Sequence, residues 1–157
     1  MEPRVNLFEN EVILKYAKRL GAANRPIEES SLPHATQELV KLRASQINGC
    51  GFCTDMHSKD AAHAGETSVR LNLVAAWREA NVFTEPERAA LALTEEGTRI
   101  ADAHHGVSDE TWAQVRKHYD DEQIGALIAL IATINAYNRL NVIARTPAGD
   151  YQPGMFD

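Results

Sequence analysis

The sequence predicts an all-α fold, and three observations carry that expectation. Almost every stretch between turn signals spaces its apolar residues at three and four positions instead of alternating them. Helix-opening residues recur at Thr67, Thr84, Ser108 and Asp120. The chain has 157 residues, 44% of them hydrophobic, without repeats or low-complexity segments, which suits one domain over 1–157 with its core at about 30–145.

Six or seven helices are expected. The first covers Asn10 to Ala22 and stops before the Asn24-Arg25-Pro26 breaker. The second runs from after Pro33 to about Asn48, with Leu39, Leu42 and Ile47 on its apolar side and Asn48-Gly49 as its stop. The third starts at Cys50 or Gly51 and ends near Gly65. The fourth, opened by Thr67, carries Leu71, Val74 and Ala75 toward Ala80. Thr84-Glu85-Pro86-Glu87 has the capping-box spacing with a first-turn proline, and opens a fifth helix reaching about Asp102. A sixth follows Ser108. The last begins at Asp120 or Asp121 and holds no charge from Ile124 to Asn138, so it is read as the central helix or as part of a subunit interface. From Thr146 onward, prolines and glycines predict a loop that is frayed or wrapped on a neighbour.

The formal net charge of −6, from 22 acidic and 16 basic residues spread along the chain, leaves no basic block to bind nucleic acid. The first twenty residues alternate charge with apolar side chains and lack the apolar stretch of a secretion signal, so a cytoplasmic protein is expected. The most apolar run, Ile124 to Ile134, is too short to span a bilayer, and no membrane partner is expected. In a reducing compartment two clustered cysteines point to thiol or metal chemistry more than to a permanent staple.

Both cysteines lie in "NGCGFCTDMH", residues 48 to 57. On a helix beginning near Cys50, offsets of three and seven put Cys50, Cys53 and His57 on one face, with Cys53 and His57 one turn apart. Amides at a helix start favour a thiolate. Lowering a thiol pKa from about 8.5 by about 2 units raises the thiolate fraction at neutral pH roughly 25-fold. Lost nucleophilicity returns about eightfold of that if the thiol-exchange slope applies to peroxides. General acid catalysis at the departing oxygen contributes more, about 10²–10⁴-fold. His57 is placed to hold that proton beside Cys53, and Glu38 can relay it if the second and third helices fold back about Asn48-Gly49.

Glu38, eleven intervening residues, Cys50-Gly51-Phe52-Cys53, three residues and His57 together resemble the signature of AhpD-like alkylhydroperoxidases, in the carboxymuconolactone decarboxylase superfamily. "SQINGCGFCTDMH" is the most specific part, and the likeness continues through "FTEPERAALALTE" and "INAYNRLNV". The resemblance implies an AhpD-like helical bundle, trimeric or hexameric assembly, and reduction of organic hydroperoxides. It implies that Cys53 is peroxidatic, that Cys50 resolves its sulfenic acid to a disulfide, and that Glu38 and His57 form the proton relay. A dihydrolipoyl or thioredoxin-type protein is the implied reductant, and neither metal nor flavin is required. Some members carry a histidine directly before the second cysteine, where this chain has Phe52.

Other readings of the same residues are a zinc site of Cys50, Cys53, His57 and either His63 or Glu38, two small core cysteines, a thioredoxin-like domain, a decarboxylase, and a non-catalytic redox sensor. The helical reading of residues 36–47 leaves no strand for the thioredoxin-like case, and decarboxylation has no use for a dithiol. His34 and the His104-His105 pair are read as surface residues and His63 as structural. Trp77 and Trp112 are read as packing anchors, and Asn138-Arg139 as a hydrogen-bonding helix end.

Overall fold

A computed structural model describes residues 2–103 and 105–156. Seven α-helices follow one another: α1 (Glu11–Glu28), α2 (His34–Ile47), α3 (Gly51–His63), α4 (Ser68–Leu73), α5 (Glu85–Thr98), α6 (Asp109–His118) and α7 (Asp121–Ala144). Single 3-10 turns follow α4 and α5, and the described residues include no strand. The all-α expectation therefore holds, and the expectation for His104 lies outside the described residues.

Local chemistry explains most boundaries. The side chains of Asn10, Thr67 and Ser108 each accept the backbone N–H three residues on, and Thr84 with Glu87 and Asp120 with Gln123 form full capping boxes. α1 departs from expectation by running through the Asn24-Arg25-Pro26 breaker to Glu28. In the last turn a proline forfeits a single backbone bond, and burial of Ile27, with the Glu29 N–H closing on the Arg25 carbonyl at 2.9 Å, keeps that turn helical.

α4 stops at Leu73 instead of reaching Ala80, because Val74 and Trp77 turn inward. The Trp77 indole N–H also donates to Glu95 at 2.9 Å. α5 ends at Thr98, short of Asp102. Trp112 is 40% exposed and anchors nothing, since Thr111 and Val115 make the buried face of α6.

α2 serves two apolar clusters. Val40 joins Ile27, Leu93, Val115, Leu127 and Leu130, whereas Leu39 and Leu42 pack with Val74, Trp77, Phe83 and Leu91. α7 buries Ile124, Leu127, Leu130, Ile131 and Ile134 but leaves Ile128 and Ile143 exposed, so it is central along one side only. The apolar run belongs to a helix of 24 residues that is long and apolar enough to cross a membrane by length and composition.

The tail also departs from expectation, because it is latched to its own chain. The Gly149 N–H donates to Asp55 at 2.8 Å, Lys59 donates to the Gly149 and Tyr151 carbonyls, and the Tyr151 hydroxyl donates to Asp60 at 2.8 Å. These bonds hold the tail against α3.

Candidate active site

Gly49, at φ +65°, turns the chain between α2 and α3 in the left-handed conformation that glycine adopts without strain. Asn48 ties this turn to α7, donating to the side-chain oxygens of Asn135 and Asn138 at 2.9 Å each. Asn138 in turn donates to the Ser45 hydroxyl at 3.0 Å, a hydrogen-bonding role within the helix, which continues to Ala144.

Cys50 is the N-cap of α3, and its sulfur accepts the Cys53 N–H at 3.3 Å. The two sulfurs form a disulfide, with Cα atoms 5.4 Å apart, and the residues are 2% and 1% exposed. The Asn141 side chain, one turn beyond Tyr137 on α7, donates to the Cys53 sulfur at 3.6 Å and to the Tyr137 carbonyl at 3.0 Å.

The fold-back of α3 on α2 brings His57 to Glu38, with Nδ1 3.2 Å from Oε2. A carboxylate only accepts, so the shared proton sits on Nδ1 and Nε2 remains for exchange with a reacting group. The other carboxylate oxygen accepts from Lys41 at 2.8 Å. Burial alone would raise the Glu38 pKa, but the His57 hydrogen bond and the Lys41 charge outweigh it and hold the pKa at about 2. His34, exposed at the start of α2, has Nε2 3.8 Å from Glu38. His63 is exposed at the end of α3, and among the described residues no three His, Cys, Asp or Glu side chains are grouped as a metal site.

A cavity of about 540 Å³ lies between α1, α3, α7 and the tail, and Cys53, His57, Lys41 and Asn141 all line it, whereas Cys50 does not. Phe52 forms part of its wall, with its ring centroid 6.0 Å from that of Phe8 and 6.2 Å from that of Phe156. The position read against a relay histidine is therefore occupied by an aromatic cluster that includes residues near both chain ends. A smaller cleft of about 270 Å³, lined by His34, Glu38, Ala61 and Glu66 among others, reaches Glu38 as well.

Of the expected site residues, the structure brings Glu38, Cys50, Cys53 and His57 together. Lys41 and Asn141 were not singled out in the sequence. Lys41 was legible as the i+3 neighbour of Glu38, and Asn141 as the third asparagine at three-residue spacing, after Asn135 and Asn138, in an apolar helix.

A family model for the carboxymuconolactone decarboxylase family matches residues 13–96. Uncharacterized protein YdfG of Bacillus subtilis (strain 168) is 44% identical over 142 residues, 90% of this chain and 94% of that protein. A crystal structure from Agrobacterium tumefaciens, of a protein of unknown function suggested there to be the antioxidant defence protein AhpD, matches with a TM-score of 0.88. It is 36% identical and the match covers 96% of this chain and all of that one. The debrominase Bmp8 matches with a TM-score of 0.75 at 19% identity, over 87% of this chain and 73% of its own, a likeness of fold alone.

Proposed function

This chain belongs to the carboxymuconolactone decarboxylase family, and we propose that within it the protein is a thiol-dependent peroxidase that reduces organic hydroperoxides. The observation that carries this reading is that Cys53, alone of the cysteine pair, lines the cavity, together with a histidine buried against an ionised carboxylate.

The reduced protein starts the cycle. The Cys53 thiolate attacks the terminal oxygen of ROOH, the S–O bond forms as the O–O bond breaks, and the departing alkoxide takes a proton from His57 to leave as ROH. Cys50, as thiolate, attacks the Cys53 sulfenic acid. The S–S bond forms and hydroxide leaves, protonated to water. Two thiols and one hydroperoxide thus give a disulfide, an alcohol and water. A dithiol reductant, of the dihydrolipoyl or thioredoxin class, restores the thiols by exchange. Glu38 keeps the His57 proton on Nδ1 and balances its charge when Nε2 is protonated. In this reading the protein works in the cytoplasm, where such reductants are kept reduced, and assembles as a trimer or hexamer.

The test is a thiol count on reduced protein before and after one equivalent of cumene hydroperoxide. Both thiols disappear in the wild type, and the one thiol left in Cys53→Ser, that of Cys50, survives; thiols that survive peroxide in the wild type would overturn the reading. A redox switch would use the same disulfide. Sustained peroxide consumption with added dihydrolipoamide or reduced thioredoxin marks the peroxidase, and a single turnover with both marks the switch.

A further inference from the structure

The cavity beside Cys53 has a chemical polarity beyond its access to sulfur. α1 lines it with Leu14, Ala17, Lys18 and Gly21, at offsets of three, four and seven that make one helical face. α7 answers with Leu130, Ile134 and Tyr137, again one face. In a protein with 22 acidic residues and a net charge of −6, no aspartate or glutamate is among the described residues of this lining. Its two full-time charges are both lysines. Lys41 is committed to Glu38 at 2.8 Å, whereas Lys18 is exposed and makes no ion pair among the described residues. Cys53, by contrast, is buried. The lining therefore combines a solvent-facing cation with no ion pair among the described residues, apolar walls and the buried sulfur.

We propose that this cavity binds an anionic amphiphile, a fatty-acid-like carboxylate whose headgroup meets Lys18 and whose hydrocarbon chain lies between α1 and α7. A volume of about 540 Å³ lies within the roughly 300–1,000 Å³ of pockets that enclose such ligands. As a substrate class, hydroperoxy fatty acids, the assignment rests on the peroxidase reading above; as a binding site it does not. Apolar contact supplies affinity, about fourfold per methylene removed from water. The exposed lysine supplies preference, about two- to fivefold for carboxylate over a neutral ester.

Binding is measured by calorimetry on the full-length oxidised protein, which has no thiol to react, with linoleate and methyl linoleate below their aggregation limits. Expected are one linoleate per chain, affinity for linoleate above that for the ester, loss of that preference in Lys18→Met, and steadily tighter binding from hexanoate through decanoate. No linoleate binding, or equal affinity for acid and ester, overturns the proposal. So does an unaltered preference in Lys18→Met. A parallel assay compares kcat/KM for hydroperoxylinoleate and cumene hydroperoxide on reduced protein. Linoleate binding without turnover of either peroxide sinks the peroxidase reading and leaves the ligand class standing. Turnover of cumene hydroperoxide without linoleate binding does the reverse.

Discussion

Nineteen residues apart in sequence, Glu38 and His57 meet with Oε2 and Nδ1 separated by 3.2 Å, and Glu38 is held ionised there with a pKa of about 2. Its ordinary value is 4.5, so as pH falls the unfolded chain takes up this proton first. The stabilisation is complete above about pH 4.5 and is lost between there and about pH 2, amounting to at most about 3 kcal/mol. Urea unfolding of the wild type should weaken across that window, and Glu38→Gln should flatten the decline. The same variant should lower peroxide turnover at neutral pH by about 10²-fold or more.

Cys50→Ser separates attack from resolution. Cys53 keeps the cavity and His57 in this variant, so one equivalent of hydroperoxide should still be reduced and a stable sulfenic acid should form, trapped by dimedone and seen by mass spectrometry. Steady-state turnover should fall to background. Peroxide left untouched by Cys50→Ser would reverse the assigned order of the two sulfurs.

Asn141 acts on Cys53 through its amide, which donates to the sulfur at 3.6 Å. A donor favours thiolate over thiol, so Asn141→Leu should slow alkylation of Cys53 several-fold at neutral pH and move the alkylation profile to higher pH. Asn141→Gln, which keeps the donor on a longer arm, should recover part of the rate. A merely structural role predicts lower stability with an unmoved pH profile.

Glu95 is a structural counterpart, buried with Arg43 Nε at 2.9 Å, Trp77 Nε1 at 2.9 Å and Arg78 at 2.8 Å. Burial alone would raise its pKa, but the hydrogen bonds from Trp77 and the two arginines hold it below the ordinary value. Glu95→Ala strands the Trp77 donor and the Arg43 guanidinium together, and should cost about 3–5 kcal/mol in chemical denaturation.

The helices that define themselves locally were legible from sequence. Thr84 with Glu87 and Asp120 with Gln123 begin helices through their own side chains. The cysteine motif was legible for the same reason, since Cys50, Cys53 and His57 lie within eight residues on α3 and its cap. Elements decided by tertiary contact read less well. Pro26 looked like a stop until Ile27 had a core to enter. α4 looked longer until Trp77 had Glu95 to bond. The tail showed no periodicity, because its order comes from Asp55, Lys59 and Asp60 on another element. Asn141 reaches the sulfur from 88 positions away, a distance that helical spacing within one segment does not span.

The second cleft changes how the site is supplied. Glu38 borders it together with the exposed imidazole of His34, while Cys53 and His57 open on the larger, apolar cavity. A hydrocarbon ligand that fills the larger cavity and drives out its water leaves the second cleft, which reaches the buried Glu38, unfilled. Glu38 lines this cleft and not the larger cavity, so on the peroxidase reading proposed above organic substrate and protons arrive through different clefts, and a tightly fitting, water-excluding substrate does not starve the reaction of protons.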